Sequence, residues 1–229
     1  MDFAYNIISW NISNINGLLG NKAEDPHFVR NINSSDIICL QETGEEVNIK
    51  GFKAYSDIRL SGKGGGVTTL VRDDLNKHCQ RVELKATDKT SMNVVTLKFT
   101  DIISKVNTFI VNTYVPPANS SHKKQNHCSA SNFDKLHGIV SSLRENDSDE
   151  LLLLGDLNAR IGRCNDLGIL DRTEPFSLFP ETNRSHCSLD IAKHAPISEH
   201  RNCRDAGTNS HKKHLLDIVG SQNLVILNG

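Results

Sequence analysis

The chain has 229 residues, of which 37% are apolar and 23% charged, so it can bury a core and is not a disordered polymer. Its 26 basic and 27 acidic side chains leave a net charge of −1, which excludes a polycation; any affinity for nucleic acid has to come from a local patch. No apolar run reaches the roughly 20 residues of a membrane span, and no basic segment followed by an apolar one marks a secretory leader. The six cysteines at 39, 79, 128, 164, 187 and 203 form no CxxC pair, which suits a reducing compartment, and Cys39 reads as a small buried thiol. These features predict an intracellular protein, nuclear or cytoplasmic, neither secreted nor membrane-bound.

In chain order, Asn6–Trp10 and Asp36–Glu42 are strand-like runs rich in branched apolar residues, with a polar stretch and a helix beginning near Pro26 between them. Trp10, the only tryptophan, reads as core. Phe52–Ile58, Val67–Val71, Asn93–Phe99 and Val106–Tyr114 follow as strands. The alternation of Val94, Thr96 and Lys98 with Val95, Leu97 and Phe99 predicts a half-buried antiparallel strand. Ser131 and Asp134 suit a capping box, after which Phe133, Leu136, Ile139, Val140 and Leu143 share one helical face. Leu151–Leu154 is too short for a helix and reads as a fully buried strand. Residues 162–210 are polar and irregular, and a helix over His211–Gly220 and a strand over Leu224–Leu227 complete the pattern. Strands with intervening helices and mixed pairings predict an α/β protein with sheets packed face to face and helices outside.

Polar clusters end several of these strands: Trp10-Asn11, Gln41-Glu42-Thr43, Asn112-Thr113-Tyr114 and Gly155-Asp156-Leu157-Asn158. If the strands are neighbours, their C-terminal ends converge on one rim, where open α/β folds place their sites. Carboxylates and carboxamides are hard oxygen donors that suit Mg²⁺, which takes one or two carboxylates and keeps several waters. On an extended segment Asp156 and Asn158 point to the same side, one toward a water and the other toward a phosphate oxygen. Taken singly, each cluster is also what an ordinary strand-to-turn boundary looks like.

Their order carries more. Ile8-Ser9-Trp10-Asn11, Cys39-Leu40-Gln41-Glu42-Thr43, Val111-Asn112-Thr113-Tyr114-Val115-Pro116-Pro117 and Leu153-Leu154-Gly155-Asp156-Leu157-Asn158-Ala159-Arg160 resemble the successive motifs of the endonuclease/exonuclease/phosphatase superfamily. The forms around Glu42, Tyr114 and Asp156, with Leu215-Leu216-Asp217 and Leu224–Gly229 downstream, are similar to the apurinic-type endonuclease domain of non-LTR (LINE-like) retrotransposons. The resemblance implies a four-layer α/β/β/α sandwich of two mixed sheets with outer helices, formed as one domain over residues 1–229 with its second half incomplete. It implies Mg²⁺, with Mn²⁺ as a substitute, held by Glu42 and Asn11. Tyr114 would contact the scissile phosphate, Asp156 would orient or deprotonate water, and Asn158 would hold the phosphate. The reaction implied is hydrolytic nicking of DNA that leaves a 3′-hydroxyl able to prime reverse transcription, by a monomer joined in the full element to a reverse transcriptase. Alternatives are a phosphoesterase of the same superfamily acting on RNA, a phosphoinositide or a sphingolipid, and a non-catalytic remnant that binds nucleic acid.

The family's closing Ser-Asp-His motif is absent, since none of the ten histidines lies in that context. The expectation is a C-terminally truncated copy with impaired activity. Arg160 beside the Asp-x-Asn pair, Lys63 within Gly62–Gly66, and Arg201 and Arg204 are candidate DNA contacts. The last two lie in residues 183–214, where six Lys and Arg stand against three Asp and Glu, a pattern that equally suits a solvated loop. Gly62–Gly66 lacks the P-loop order and reads as a hairpin tip. The histidines and cysteines between His186 and His214 lack the spacing of a zinc site.

Overall fold

The computed structural model describes residues 5–17, 20–58, 65–84, 92–100, 106–117, 129–143, 148–162, 207–222 and 224. The chain divides into two compact units, Met1–Cys128 with Asp149–Asn158, and Ser129–Ser148 with Ala159–Gly229.

The first unit holds two mixed sheets. Strands β1 (Ile7–Asn11), β4 (Ile37–Gln41), β6 (Val67–Arg72) and β5 (Phe52–Asp57) lie in that order in the first sheet. Here β1 runs parallel to β4, while β4–β6 and β6–β5 are antiparallel. Strands β10 (Glu150–Asp156), β9 (Asn107–Tyr114), β8 (Asn93–Thr100) and β7 (Cys79–Arg81) form the second, with β10 parallel to β9 and the other pairs antiparallel. A two-residue ladder joins β2 (Asn16–Gly17) to β3 (Gly20–Asn21).

Side-chain alternation divides the first sheet between two cores. Ile37, Cys39, Val67 and Val71 pack against Val95, Leu97, Phe99, Ile110 and Tyr114 of the second sheet. On the other face, Ile38, Leu40 and Leu70 pack with Phe28 and Ile32 of helix α1 (Pro26–Asn33). Helix α1 starts where Asp25 accepts the His27 N–H at 2.8 Å and Pro26 supplies a ready-made helical φ. Each large aliphatic side chain so buried contributes roughly 1.5–3 kcal/mol. The α/β class with two packed mixed sheets is as expected.

In the second unit α2 (Ser129–Leu143) and α3 (His211–Ser221) meet through Phe133, whose ring centroid is 5.0 Å from that of His211 and 5.7 Å from that of His214. His137 Nε2 lies 3.0 Å from Ser221 Oγ, and Gln222 Nε2 donates to Ser141 Oγ at 2.9 Å. Among the described residues no helix is long and apolar enough to cross a membrane.

Five expectations need correction. Strand β8 is antiparallel but buried on both faces through Leu97, because it is an interior strand flanked by β7 and β9. Lys98 on its less greasy face lies 5.6 Å from the Phe109 ring centroid, the ring of its ladder partner. Strand β10, by contrast, is half-buried over its leucines rather than fully buried; among the described residues it has a ladder partner on one side only. Trp10 is 38% exposed; among the described residues β1 too is paired on one side only, and the indole lies against Phe28, ring centroids 5.2 Å apart. Helix α2 begins at Ser129, so Ser131 sits inside the first turn and is not its cap; the five expected apolar residues are nonetheless buried. Helix α3 runs one residue further than expected; the strand expected over 224–227 lies outside the described residues but for Leu224, which donates its N–H to the Val219 carbonyl.

Candidate active site

Parallel pairing puts Asn11 at the C-terminal end of β1 opposite Gln41 at the end of β4, so Glu42 follows directly beside Asn11. In the second sheet Asp156 closes β10 opposite Tyr114, which closes β9. One hydrogen bond joins these two rims. Asn11 Nδ2 donates to Glu42 Oε1 at 3.0 Å and to Asp156 Oδ2 at 2.8 Å, across 31 and 145 residues of chain. The two carboxylates are therefore no more than two hydrogen-bond lengths apart. Asn11 Oδ1 in turn accepts the Ser13 N–H at 3.0 Å, which fixes the amide with its donor end toward the acids.

Glu42 takes a left-handed backbone, φ +52°, as do Ser13 and Asn14 beside it. Outside glycine such a conformation costs about 1–2 kcal/mol, so neighbours must impose it. They do so on both flanks. Asn14 N–H donates to the Glu42 carbonyl and Ile15 N–H to that of Thr43, while Thr43 and Gly44 N–H donate to the Gly66 and Gly65 carbonyls. Gly44 admits the Asn14 side chain, because a Cβ there would lie 2.9 Å from Asn14 Oδ1.

The Asp156 turn departs from the extended geometry expected of Asp-x-Asn. Gly155 has φ +133° and Asn158 φ +46°, so the chain folds back and Asp156 Oδ1 accepts the Asn158 N–H at 2.9 Å. Asn158 Nδ2 donates to the Val115 carbonyl at 2.8 Å, and Val115 N–H donates to the Asp156 carbonyl at 2.9 Å. The turn is thus tied to the strand that carries Tyr114. Tyr114 is 7% exposed and its ring belongs to the inter-sheet core.

Beneath the rim lies a buried amide pair. Gln41 Nε2 donates to Asn112 Oδ1 at 2.8 Å, and Asn112 Nδ2 reaches the Leu40 and Thr68 carbonyls, each at 3.2 Å, and Thr69 Oγ1 at 3.1 Å. At the start of β8, Asn93 Oδ1 accepts the Gly66 N–H at 3.0 Å. Asn93, Gly66 and Ser13 are site-supporting residues that sequence reasoning missed, since their contacts join segments remote in the chain.

The donor set fits a hard divalent cation. Two carboxylates share one amide donor and carry like charge, which a cation between them offsets. Among the described residues no group of three or more His, Cys, Asp or Glu is arranged for a metal. Arg160 is exposed, in the other unit, with its N–H donating to Asn209 Oδ1 at 3.1 Å. Lys63, Arg201 and Arg204 lie outside the described residues.

Two packed mixed sheets with helices and an acid–amide cluster at their common rim place the chain among α/β-sandwich proteins. A family model described as the Endonuclease/Exonuclease/phosphatase family matches residues 8–190, and the chain belongs to that family, whose members are hydrolases of phosphodiester bonds. Solved structures share the fold. The AP endonuclease LMAP of Leishmania major superposes with TM-score 0.54 at 20% identity, over 71% of this chain and 60% of that one. The APE2 catalytic domain of Xenopus laevis superposes with TM-score 0.51 at 18% identity, over 69% and 61%. This chain therefore spans about three-fifths of the length of either. No curated protein sequence matches it significantly.

Proposed function

We propose that the chain is a Mg²⁺-dependent phosphodiesterase that nicks DNA, of the type that serves non-LTR retrotransposons. The observation that supports it best is the Asn11 amide held between Glu42 and Asp156 at 3.0 and 2.8 Å, which gathers residues from three strand ends into one acidic site. In this reading Glu42 would hold Mg²⁺, with Mn²⁺ as a substitute, and Asn11 stands beside the ion, its amide N–H groups turned to the Glu42 and Asp156 carboxylates and its Oδ1 to Ser13. A divalent cation held there would supply charge screening for the phosphate and for the departing oxygen. Asp156 orients the attacking water and takes its proton as the new O–P bond forms. The bond from phosphorus to O3′ breaks, the departing oxygen takes a proton from solvent to become a 3′-hydroxyl, and the phosphate stays on the 5′ end of the other fragment. Tyr114 and Asn158 donate hydrogen bonds to the phosphate oxygens. Arg160, which follows the Asp-x-Asn pair as in the retroelement branch, lies along the DNA backbone.

Supercoiled plasmid incubated for hours with excess chain and Mg²⁺ should give nicked circles, and Glu42→Ala or EDTA should stop the conversion. Nicking indifferent to Glu42→Ala would overturn the proposal. Faster cleavage of RNA or of an inositol phosphate would move the substrate to the alternative class. Salt-sensitive DNA binding with no cleavage, indifferent to Mg²⁺, would leave a binding remnant.

A further inference from the structure

Asn93, the first residue of β8, is buried and stands directly opposite Tyr114 in the β8–β9 ladder. Its side chain crosses from the second sheet to the first. Oδ1 accepts the Gly66 N–H at 3.0 Å, and Nδ2 faces Asp57 Oδ2 at 3.4 Å, an oxygen that also accepts the Val94 N–H at 2.8 Å. The Asn93 carbonyl accepts the Thr113 hydroxyl at 3.0 Å, which locks it to the strand of Tyr114. Gly66 is the residue whose carbonyl receives the Thr43 N–H, the peptide that follows Glu42. It has φ +83°, and a Cβ on it would stand 2.9 Å from Thr43 Oγ1, so only glycine fits there without a shift. A continuous line of contacts thus runs from the Tyr114 strand through Asn93 and Gly66 to the strained turn of Glu42.

We propose that Asn93 is a positioning residue. By holding Gly66 it sets the Glu42 turn relative to Tyr114, and through that turn it governs affinity for the divalent cation. The role rests on the functional reading above. Residues that orient metal ligands without touching the ion typically account for 10–100-fold in metal affinity.

The test is Mn²⁺ binding to the whole chain, read from the electron paramagnetic resonance signal of free Mn²⁺, with the thermal unfolding midpoint measured in parallel. Asn93→Ala should weaken Mn²⁺ binding about tenfold or more. Asn93→Asp keeps the acceptor for Gly66 but sets a carboxylate against Asp57, and should bind at least as weakly. Adding Asp57→Asn removes the facing like charge while its amide oxygen still accepts the Val94 N–H, and should recover part of the affinity. A lowered midpoint with Mn²⁺ affinity unchanged in the folded Asn93 variants would overturn the positioning role while leaving the active-site reading intact. Mn²⁺ binding in the parent chain that ignores Glu42→Ala would instead bring down the active-site reading, and the role of Asn93 with it.

Discussion

Glu42 leaves β4, a strand with neighbours on both sides, whereas Asp156 leaves β10, which among the described residues has a ladder partner on one side only. The first turn is held by main-chain bonds from two flanking segments, the 12–15 stretch and the Gly65–Gly66 pair. The second is held by side chains, Asp156 capping Asn158 and Asn158 reaching Val115, and by a glycine that no other residue could replace. A turn framed by main-chain bonds can hold an ordinary residue in a strained conformation, whereas a turn held largely by its own side chains is written with residues already suited to it.

The glycines test that contrast most sharply. A Cβ at Gly155 would lie 1.9 Å from the Thr113 carbonyl oxygen, with φ +133°, so neither side chain nor rotamer change can relieve it. Gly155→Ala should cost about 3 kcal/mol or more, read as a fall in the urea midpoint. Gly66→Ala meets a side-chain hydroxyl at 2.9 Å, which can turn away, and should cost about 1–2 kcal/mol, the price of its left-handed φ. Equal losses at the two positions would break the distinction.

A smaller and opposite effect is expected at the strained acid itself. Glu42→Gly should stabilise the chain by about 0.5–1 kcal/mol while abolishing nicking, because glycine accepts φ +52° without a β-carbon clash. Asn158→Gly should destabilise slightly, since asparagine already tolerates φ +46° and its amide bond to Val115 is lost. Urea titration of both variants checks the signs.

The last effect concerns pH. Burial pushes the Cys39 thiol on β4 up to about 12, the hydrogen bond with Thr69 pulling the other way. Burial likewise raises Cys79 to about 11 and Tyr55 to about 12, the latter donating to Asn76 Oδ1 at 2.6 Å. A thiol ionises near 8.5 in the unfolded chain, so the fold favours the neutral form. That contribution is complete below about pH 8.5 and is lost as pH rises toward the folded values. The urea midpoint should therefore decline between about pH 9 and 11. The decline should be shallower in Cys39→Val, with Cys79 and Tyr55 supplying the remainder.

Runs rich in branched apolar residues and bounded by polar ones made most strands of the two sheets legible, and four ordered motifs pointed to residues at the strand ends. Burial was harder to read. The leucines of β10 look more apolar than Val94 and Thr96 of β8, yet β8 is the more deeply buried, because position within a sheet is set by pairing partners and not by composition. Trp10 illustrates the same point from β1. Asn93 carried no local signal at all. Its partners Gly66 and Asp57 lie 27 and 36 residues away, and an asparagine opening a strand looks like any turn residue. The left-handed φ of Glu42 was equally silent, since nothing in the side chain asks for it.

The amide pair of Gln41 and Asn112 has a consequence for assembly. Both side chains are almost wholly excluded from water, at 2% and 0% exposure. Were the two layers to slide past each other by a single position, several of these polar atoms would be stranded in the interior at about 1–3 kcal/mol apiece. The halves of the sandwich are consequently keyed and can close in one alignment only. Because the key sits immediately before Glu42 and two places before Tyr114, closure that completes the interior also brings the reactive margin into register.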